Sequence, residues 1–272
     1  MSVINSAAVR LTARLTPASG TLGVFLPAGF PGPGLDTEAF TACAEAGAGI
    51  LEVGVPTAAP TLDGPDITKA YQQALEHGTG VTEALNTVTR VAAATTASVV
   101  VMSYWDPVSR YGLRSFARDL AAAGAAGAMI PDLPPDKARL WHTAAQAKGL
   151  CTPQFTPRPS TEAELVRYCA AASGWIYVPA ALGPTGSTAG VDHDGLQRFV
   201  GRCRRTSDVP LVTGIGVSTP EIASAVNPYV DGVVVGSPIV RALLARPDRT
   251  GITAAADRVA LFAEALRPTG AT

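Results

Sequence analysis

The chain has 272 residues, a formal net charge of −1 and four cysteines. Its length is close to the ~250 residues of a (β/α)8 barrel and supports a large core. The near-zero charge leaves no electrostatic footprint for nucleic acid or an anionic membrane, and Cys43, Cys151, Cys169 and Cys203, with no C-x-x-C pair, read as reduced, mostly buried small residues. Arg10 and Arg14 interrupt the apolar residues near the start, so no secretory leader is evident. No run of about 18 apolar residues reads as a membrane span, and the expected location is the cytoplasm.

Met1 to Leu15 reads as an amphipathic helix, with Asn5 or Ser6 as its cap and Ala8, Val9, Leu11 and Leu15 as its apolar stripe. Thr21 to Leu26 is a strand ending at Pro27-Ala28-Gly29-Phe30-Pro31. Asp36 is expected to cap a helix through Ala46, with Gly47 as its stop. Ile50 to Val55 is a buried strand carrying one carboxylate, Glu52, and the loop beyond it carries a second, Asp63, before Gly64-Pro65. Helices follow at Ile67–Glu76 and Val81–Ala94. Ser98 to Tyr104 is a third strand, ended by Trp105-Asp106-Pro107. A helix runs from Leu113 to Ala123, and Gly127 to Ile130 is the fourth strand.

The alternation continues with a helix at Pro135–Lys148, Pro at its first position. Cys151–Phe155 is strand-like and Thr161–Ala172 is its helix. Trp175–Val178 is the sixth strand, followed by a long loop from Pro179 to about His193 and a helix over Leu196–Arg205. Pro210–Thr213 is the seventh strand, and Ser218 or Thr219 caps a short helix. Gly232–Val235 is the eighth, and helices at Ile239–Leu244 and Thr253–Leu266 end the chain. Eight strand–helix alternations at this length predict α/β architecture: a TIM barrel, (β/α)8, formed by residues 1–272 as a single domain with an extra N-terminal helix.

In such a barrel the site lies at the C-terminal ends of the strands. Strand two places Glu52 on a rigid element and Asp63 on the loop just beyond it. A carboxylate in an apolar strand is neutral, paired or catalytic, so the two acids suit acid–base work on a small molecule. The alternative is that Glu52 pairs with a buried cation and Asp63 shapes a turn. Strand three supplies Tyr104 and Asp106, strand four Asp132 and strand six Tyr177. The two tyrosines read as pocket walls, since an ordinary phenol stays protonated at neutral pH. Asp132 reads as orienting the strand-four turn, and Asp106 the strand-three turn. Strands seven and eight end in Gly214-Ile215-Gly216 and Gly236-Ser237. Small residues there let backbone N–H groups approach a phosphate, with a helix N-terminus behind them. No Lys or Arg lies within either stretch, so a backbone-type phosphate site is expected. His77, His142 and His193 have no partner at metal-ligand spacing, and no metal is expected.

Together these residues resemble the tryptophan synthase α subunit family over almost the whole chain. The likeness rests on Glu52, Gly54, Pro56 and Asp63-Gly64-Pro65; on PAGFP at Pro27–Pro31; and on MSYWDPVSRYG at Met102–Gly112, where the family commonly has Asn-Pro in place of Asp106-Pro107. IPDLP at Ile130–Pro134, GIGVS at Gly214–Ser218 and VGSPIV at Val235–Val240 complete it. The resemblance implies cofactor-free cleavage of indole-3-glycerol phosphate to indole and glyceraldehyde 3-phosphate. In that scheme Glu52 matches the proton-shuttling acid, and Asp63 the carboxylate that holds the indole N–H. Gly186, Gly216, Gly236 and Ser237 match the phosphate site, Tyr177 matches a residue beside it, and Phe25 lines the indole pocket.

The resemblance also implies a tryptophan synthase β subunit as partner, but two departures touch that partnership. Family members usually carry Ser-Asp where this chain has Ala58-Ala59, and an Arg in the strand-six loop where Ala181 stands. Both belong to regions that close the site and contact the β subunit, so coupling is expected to be weakened. Beside an α chain of tryptophan biosynthesis stand a related phosphate-binding barrel acting on another indole or sugar phosphate and two further alternatives. One is a stand-alone or specialised lyase; the other is a non-catalytic α-like activator of a β subunit.

Overall fold

The structure is a computed structural model that describes residues 5–17, 19–183, 185–186 and 190–267. Short apolar runs make the sheet: β1 (Thr21–Pro27), β2 (Ile50–Gly54), β3 (Ser98–Met102), β4 (Gly127–Met129), β5 (Gln154–Phe155), β6 (Ile176–Tyr177), β7 (Leu211–Thr213) and β8 (Gly232–Val235). β2, β3 and β8 are buried at every residue. Parallel strands covered on both faces read this way, and Val and Ile fill the pleated surface well.

All pairings are parallel, in the order β4-β3-β2-β1-β8-β7-β6-β5. A parallel bridge between Gly127 and Cys151 joins the two ends of that row and closes the barrel. Two hydrogen bonds make it: Cys151 N–H donates to Ala126 O at 2.8 Å, and Ala128 N–H to Cys151 O at 3.2 Å. The register sets Phe25 opposite Glu52, and Glu52 opposite Val100. Residues paired across parallel strands share a face, so the aromatic ring and the carboxyl point into the same interior layer.

Around the strands run α1 (Ser6–Arg14), α2 (Leu35–Glu45), α3 (Pro65–Glu76), α4 (Val81–Ala94), α5 (Trp105–Tyr111), α6 (Leu113–Ala122), α7 (Pro135–Gln146), α8 (Glu162–Ala171), α9 (His193–Thr206), α10 (Pro220–Val226), α11 (Ser237–Ala245) and α12 (Arg249–Ala265). Asn5 caps α1: its Oδ1 accepts from Ala7 N–H at 2.9 Å, and its Nδ2 donates to Ala125 O just before β4. Leu11 and Leu15 are buried beneath it, Leu15 beside Gly232 at the start of β8. α1 thus covers the N-terminal mouth, and the opposite mouth is left for the site. The first four residues of the helix expected from Met1 lie outside the described residues. None of the described helices is long and apolar enough to cross a membrane.

Four expectations need correction. Asp36 is not a cap; Gly34 takes that place, and Asp36 lies in the first turn of α2 with its carboxylate turned inward. It accepts from Gly29 N–H at 2.9 Å and from the Thr87 hydroxyl at 2.6 Å, so it braces the loop after β1. Trp105-Asp106-Pro107 ends no strand but opens α5, because proline in a first turn forfeits no helical bond. β5 is two residues long, Cys151 contributing only the closing bridge. α9 begins at His193, since Asp192 accepts from Gly195 N–H and caps it earlier than expected.

Candidate active site

A cleft of about 760 Å³ opens at the C-terminal ends of the strands. Phe25, Glu52, Asp63, Tyr177, Gly186, Gly216, Gly236 and Ser237, the eight residues singled out from the sequence, all line it.

Glu52 is held by the middle of β2, buried at every residue, and is itself 4% exposed. Its Oε1 has no hydrogen-bond partner among the described residues. The alternative that it pairs with a buried cation therefore has no support in these contacts. Burial, and next the charge of Asp63, push its carboxyl up to about 8. An acid in this setting is neutral near pH 7 and can give a proton away.

Asp63 is differently supported. Tyr104 O–H donates to its Oδ2 at 2.8 Å, and Thr185 O–H to its Oδ1 at 3.4 Å. Burial pushes this carboxyl up to about 6, and the two hydrogen bonds pull against that rise. Two carboxyls in one cleft, one neutral and one charged near neutrality, is the arrangement that divides acid and base roles. Tyr104 is itself fixed, since Leu62 N–H donates to its hydroxyl at 3.0 Å, and burial raises its own titration. It stands behind Asp63 and is a donor rather than the pocket wall expected from the sequence. Thr185, which the sequence reading did not single out, also accepts from Gly64 N–H at 2.8 Å and donates its own N–H to Leu62 O at 3.1 Å. The loops after β2 and β6 are therefore clasped around Asp63.

At the other end of the cleft the glycine turns converge. Gly216 has φ of +97°, and a Cβ there would lie 2.5 Å from the Ala181 Cβ. Only glycine fits there; Val217 N–H donates back to Gly214 O at 2.8 Å, while Gly216 N–H has no partner among the described residues. Tyr177 braces the same turn: its hydroxyl accepts from Ile215 N–H at 2.7 Å, and its ring stacks on Phe155. Gly236 caps α11, so Ser237 stands at the first position of a helix N-terminus, and Gly186 lies against the Ser237 hydroxyl. Donors and a positive dipole end thus face one spot, a setting suited to an anion. Arg241, four residues beyond Ser237 and outside both glycine stretches, also lines the cleft.

Other sequence candidates fall elsewhere. Asp132 accepts from Trp105 N–H at 2.7 Å and so caps α5, while Asp106 is exposed and pairs with Arg110. Ala58 and Ala59 are exposed on the loop after β2, and Ala181 is buried under the Gly216 turn. Arg158, which the sequence reading passed over, is 8% exposed and reaches the β6 loop. It donates to Ala180 O at 3.0 Å and to Asp192 at 2.8 Å.

The sequence matches the family described as "Tryptophan synthase alpha chain" over residues 14–267. Among curated relatives, the tryptophan synthase alpha chain of Mycolicibacterium paratuberculosis is 40% identical over 247 residues, 89% of this chain and 90% of that one. The Streptomyces coelicolor alpha chain is 38% identical over 238 residues, covering 88% of each. Among solved structures, tryptophan synthase from Mycobacterium tuberculosis superposes with a TM-score of 0.84 at 35% identity, over 98% of both chains. The alpha subunit from Legionella pneumophila does so at 0.83 and 26%, again over 98% of both.

Proposed function

The chain belongs to the tryptophan synthase alpha chain family, lyases that cleave indole-3-glycerol phosphate in tryptophan biosynthesis, and from that premise we propose that Glu52 and Asp63 carry the reaction. One observation supports this most: both carboxyls open on a single cleft, with Glu52 held neutral by burial and Asp63 held ionised nearer neutrality by two hydroxyl donors.

Indole is a poor carbon leaving group. Its C3 must gain a proton before the bond to the glycerol chain breaks, and the hydroxyl on the adjacent side-chain carbon must lose one. Glu52 gives its proton to C3, and the carboxylate so formed takes the hydroxyl proton as the carbon–carbon bond breaks. The bonding electrons return to the ring, the aldehyde of glyceraldehyde 3-phosphate forms, and Glu52 ends protonated as it began. Asp63 accepts the indole N–H and offsets the positive charge that grows on the ring. Phe25 packs against the indole, and Gly186, Gly216, Gly236 and Ser237 take the phosphate. Asp63→Asn keeps the size and removes the charge. Indole release should fall at least ~10²-fold, the scale of lost electrostatic stabilisation of a transition state. Parent-like turnover by that variant would reduce Asp63 to a turn residue.

The solved structures similar to this chain include tryptophan synthase from Mycobacterium tuberculosis and the alpha subunit from Legionella pneumophila. For this chain we propose a β partner with weak activation. Ala58 and Ala59 offer no hydroxyl or carboxylate, and Ala181 no guanidinium. The loops around Asp63 are instead held within the chain by Thr185 and Arg158. We place the reaction in the cytoplasm, a compartment that keeps the four buried thiols reduced.

A further inference from the structure

We propose that Arg241 is a phosphate-binding residue of this enzyme, supplying a full positive charge at that end of the cleft and anchored there by Asp66. The inference rests on the reading that the substrate carries a phosphate ester.

Charge balance motivates it. The phosphate arrives as an anion in a cleft that already holds two carboxyls, Glu52 and Asp63. Backbone N–H groups and the α11 dipole supply partial charges only. Among the described residues, Arg241 is the only Lys or Arg lining the cleft. It lies on α11 four residues after Ser237, and residues at that spacing sit on the same helix face, roughly 5–6 Å apart at Cβ. Its side chain therefore rises from the face that bears the Ser237 hydroxyl.

The guanidinium is oriented, not loose. Its Nε and Nη2 donate to Asp66 Oδ2 at 3.1 and 2.8 Å. Its Nη1 has no acceptor among the described residues, and the side chain remains 61% exposed. One edge is thus anchored and another is free to meet a phosphate oxygen. A planar fork suits that division, since arginine can hold two acceptors at once. Asp66 stands in the first turn of α3, three residues after Asp63. The anchor therefore fastens the phosphate end of the cleft to the element that follows the acid loop.

The test is calorimetric titration of the full chain with sn-glycerol 3-phosphate, beside steady-state indole release. The expected results are binding by the parent and a Kd about tenfold weaker for Arg241→Gln, the scale of one hydrogen bond to a charged group at a part-exposed site. The KM for indole-3-glycerol phosphate should rise by a similar factor while kcat changes little, and Arg241→Lys should fall between. Asp66→Asn removes the same anchor but leaves the cation, so its Kd should weaken less than that of Arg241→Gln. A folded Arg241→Gln protein that binds glycerol 3-phosphate like the parent overturns the proposal. So does equal weakening by Arg241→Gln and Asp66→Asn, which would make the pair a strut only. A parent that binds no glycerol 3-phosphate overturns the phosphate reading itself, and this inference with it.

Discussion

Replacing Glu52 by glutamine should make the protein more stable while it makes it inactive. In the folded chain this carboxyl titrates at about 8, against an ordinary 4.5, because burial and the charge of Asp63 disfavour its ionised form. The sign follows from linkage. A raised folded value gives stability that is fully present below the unfolded value and is lost as pH rises through the folded one. Between those values the parent should lose about 1.4 kcal/mol per pH unit, the constant relating pKa to free energy. Glutamine keeps the shape and cannot ionise, so the variant escapes that loss. The difference should be near zero at pH 4.5 and reach about 3 kcal/mol at pH 7. Urea denaturation of both proteins at several pH values between 4.5 and 8.5 measures it, provided the m-values agree. Two results would refute the reasoning. Parallel stability curves would mean that Glu52 is solvated, and a variant less stable at pH 7 would mean that it is ionised and paired.

Three further outcomes follow from the contacts around the cleft. Tyr104→Phe removes the donor that pulls Asp63 down; the acid limb of the pH–rate profile should move to higher pH, and an unmoved limb would show that Asp63 does not set it. Gly236→Val would place a Cβ 3.2 Å from the Phe25 ring and 3.5 Å from Ile67, at a φ of −121° that any residue adopts. It should raise KM strongly in a folded protein, and an unchanged KM counts against a phosphate site at β8. Added β subunit from a typical synthase should activate this chain weakly, and Ala58→Ser with Ala59→Asp should increase the activation, since coupling requires contacts that differ between open and closed states. Strong activation of the parent would show that the alanines do not disable coupling.

Much of this was legible in the sequence, and the parts that were not share a physical reason. β2, β3 and β8 announce themselves because a strand buried on both faces reads as an apolar run, and eight strand–helix alternations leave few folds open. Glu52 stands out because a carboxylate inside such a run is costly. Gly216 and Gly236 stand out because they follow strands whose ends are known once the fold is. Tyr104 and Thr185 carry no such mark. Their bonds to Asp63 span 41 and 122 residues, and no local pattern encodes a contact made by loops from different strands. Asp36 looks like a cap because its local context is that of a cap, whereas its burial is decided by Thr87 on α4. Arg241 was within reach: counting four residues on from Ser237 along one helix face finds it. Arg158 was not, since its acceptors Ala180 and Asp192 lie 22 and 34 residues away.

We propose Glu52 as the group that moves the proton between the hydroxyl and the indole ring, and the rate of indole release from indole-3-glycerol phosphate is the direct test of that role. Measured without a β subunit, the parent should release indole and glyceraldehyde 3-phosphate in equal amounts, fastest between about pH 6 and pH 8, where Asp63 is ionised and Glu52 is not. Glu52→Gln should lower kcat at least ~10²-fold with little change in KM, the loss typical of a removed acid–base group. A Glu52→Gln protein that keeps most of the parent's kcat would contradict the account.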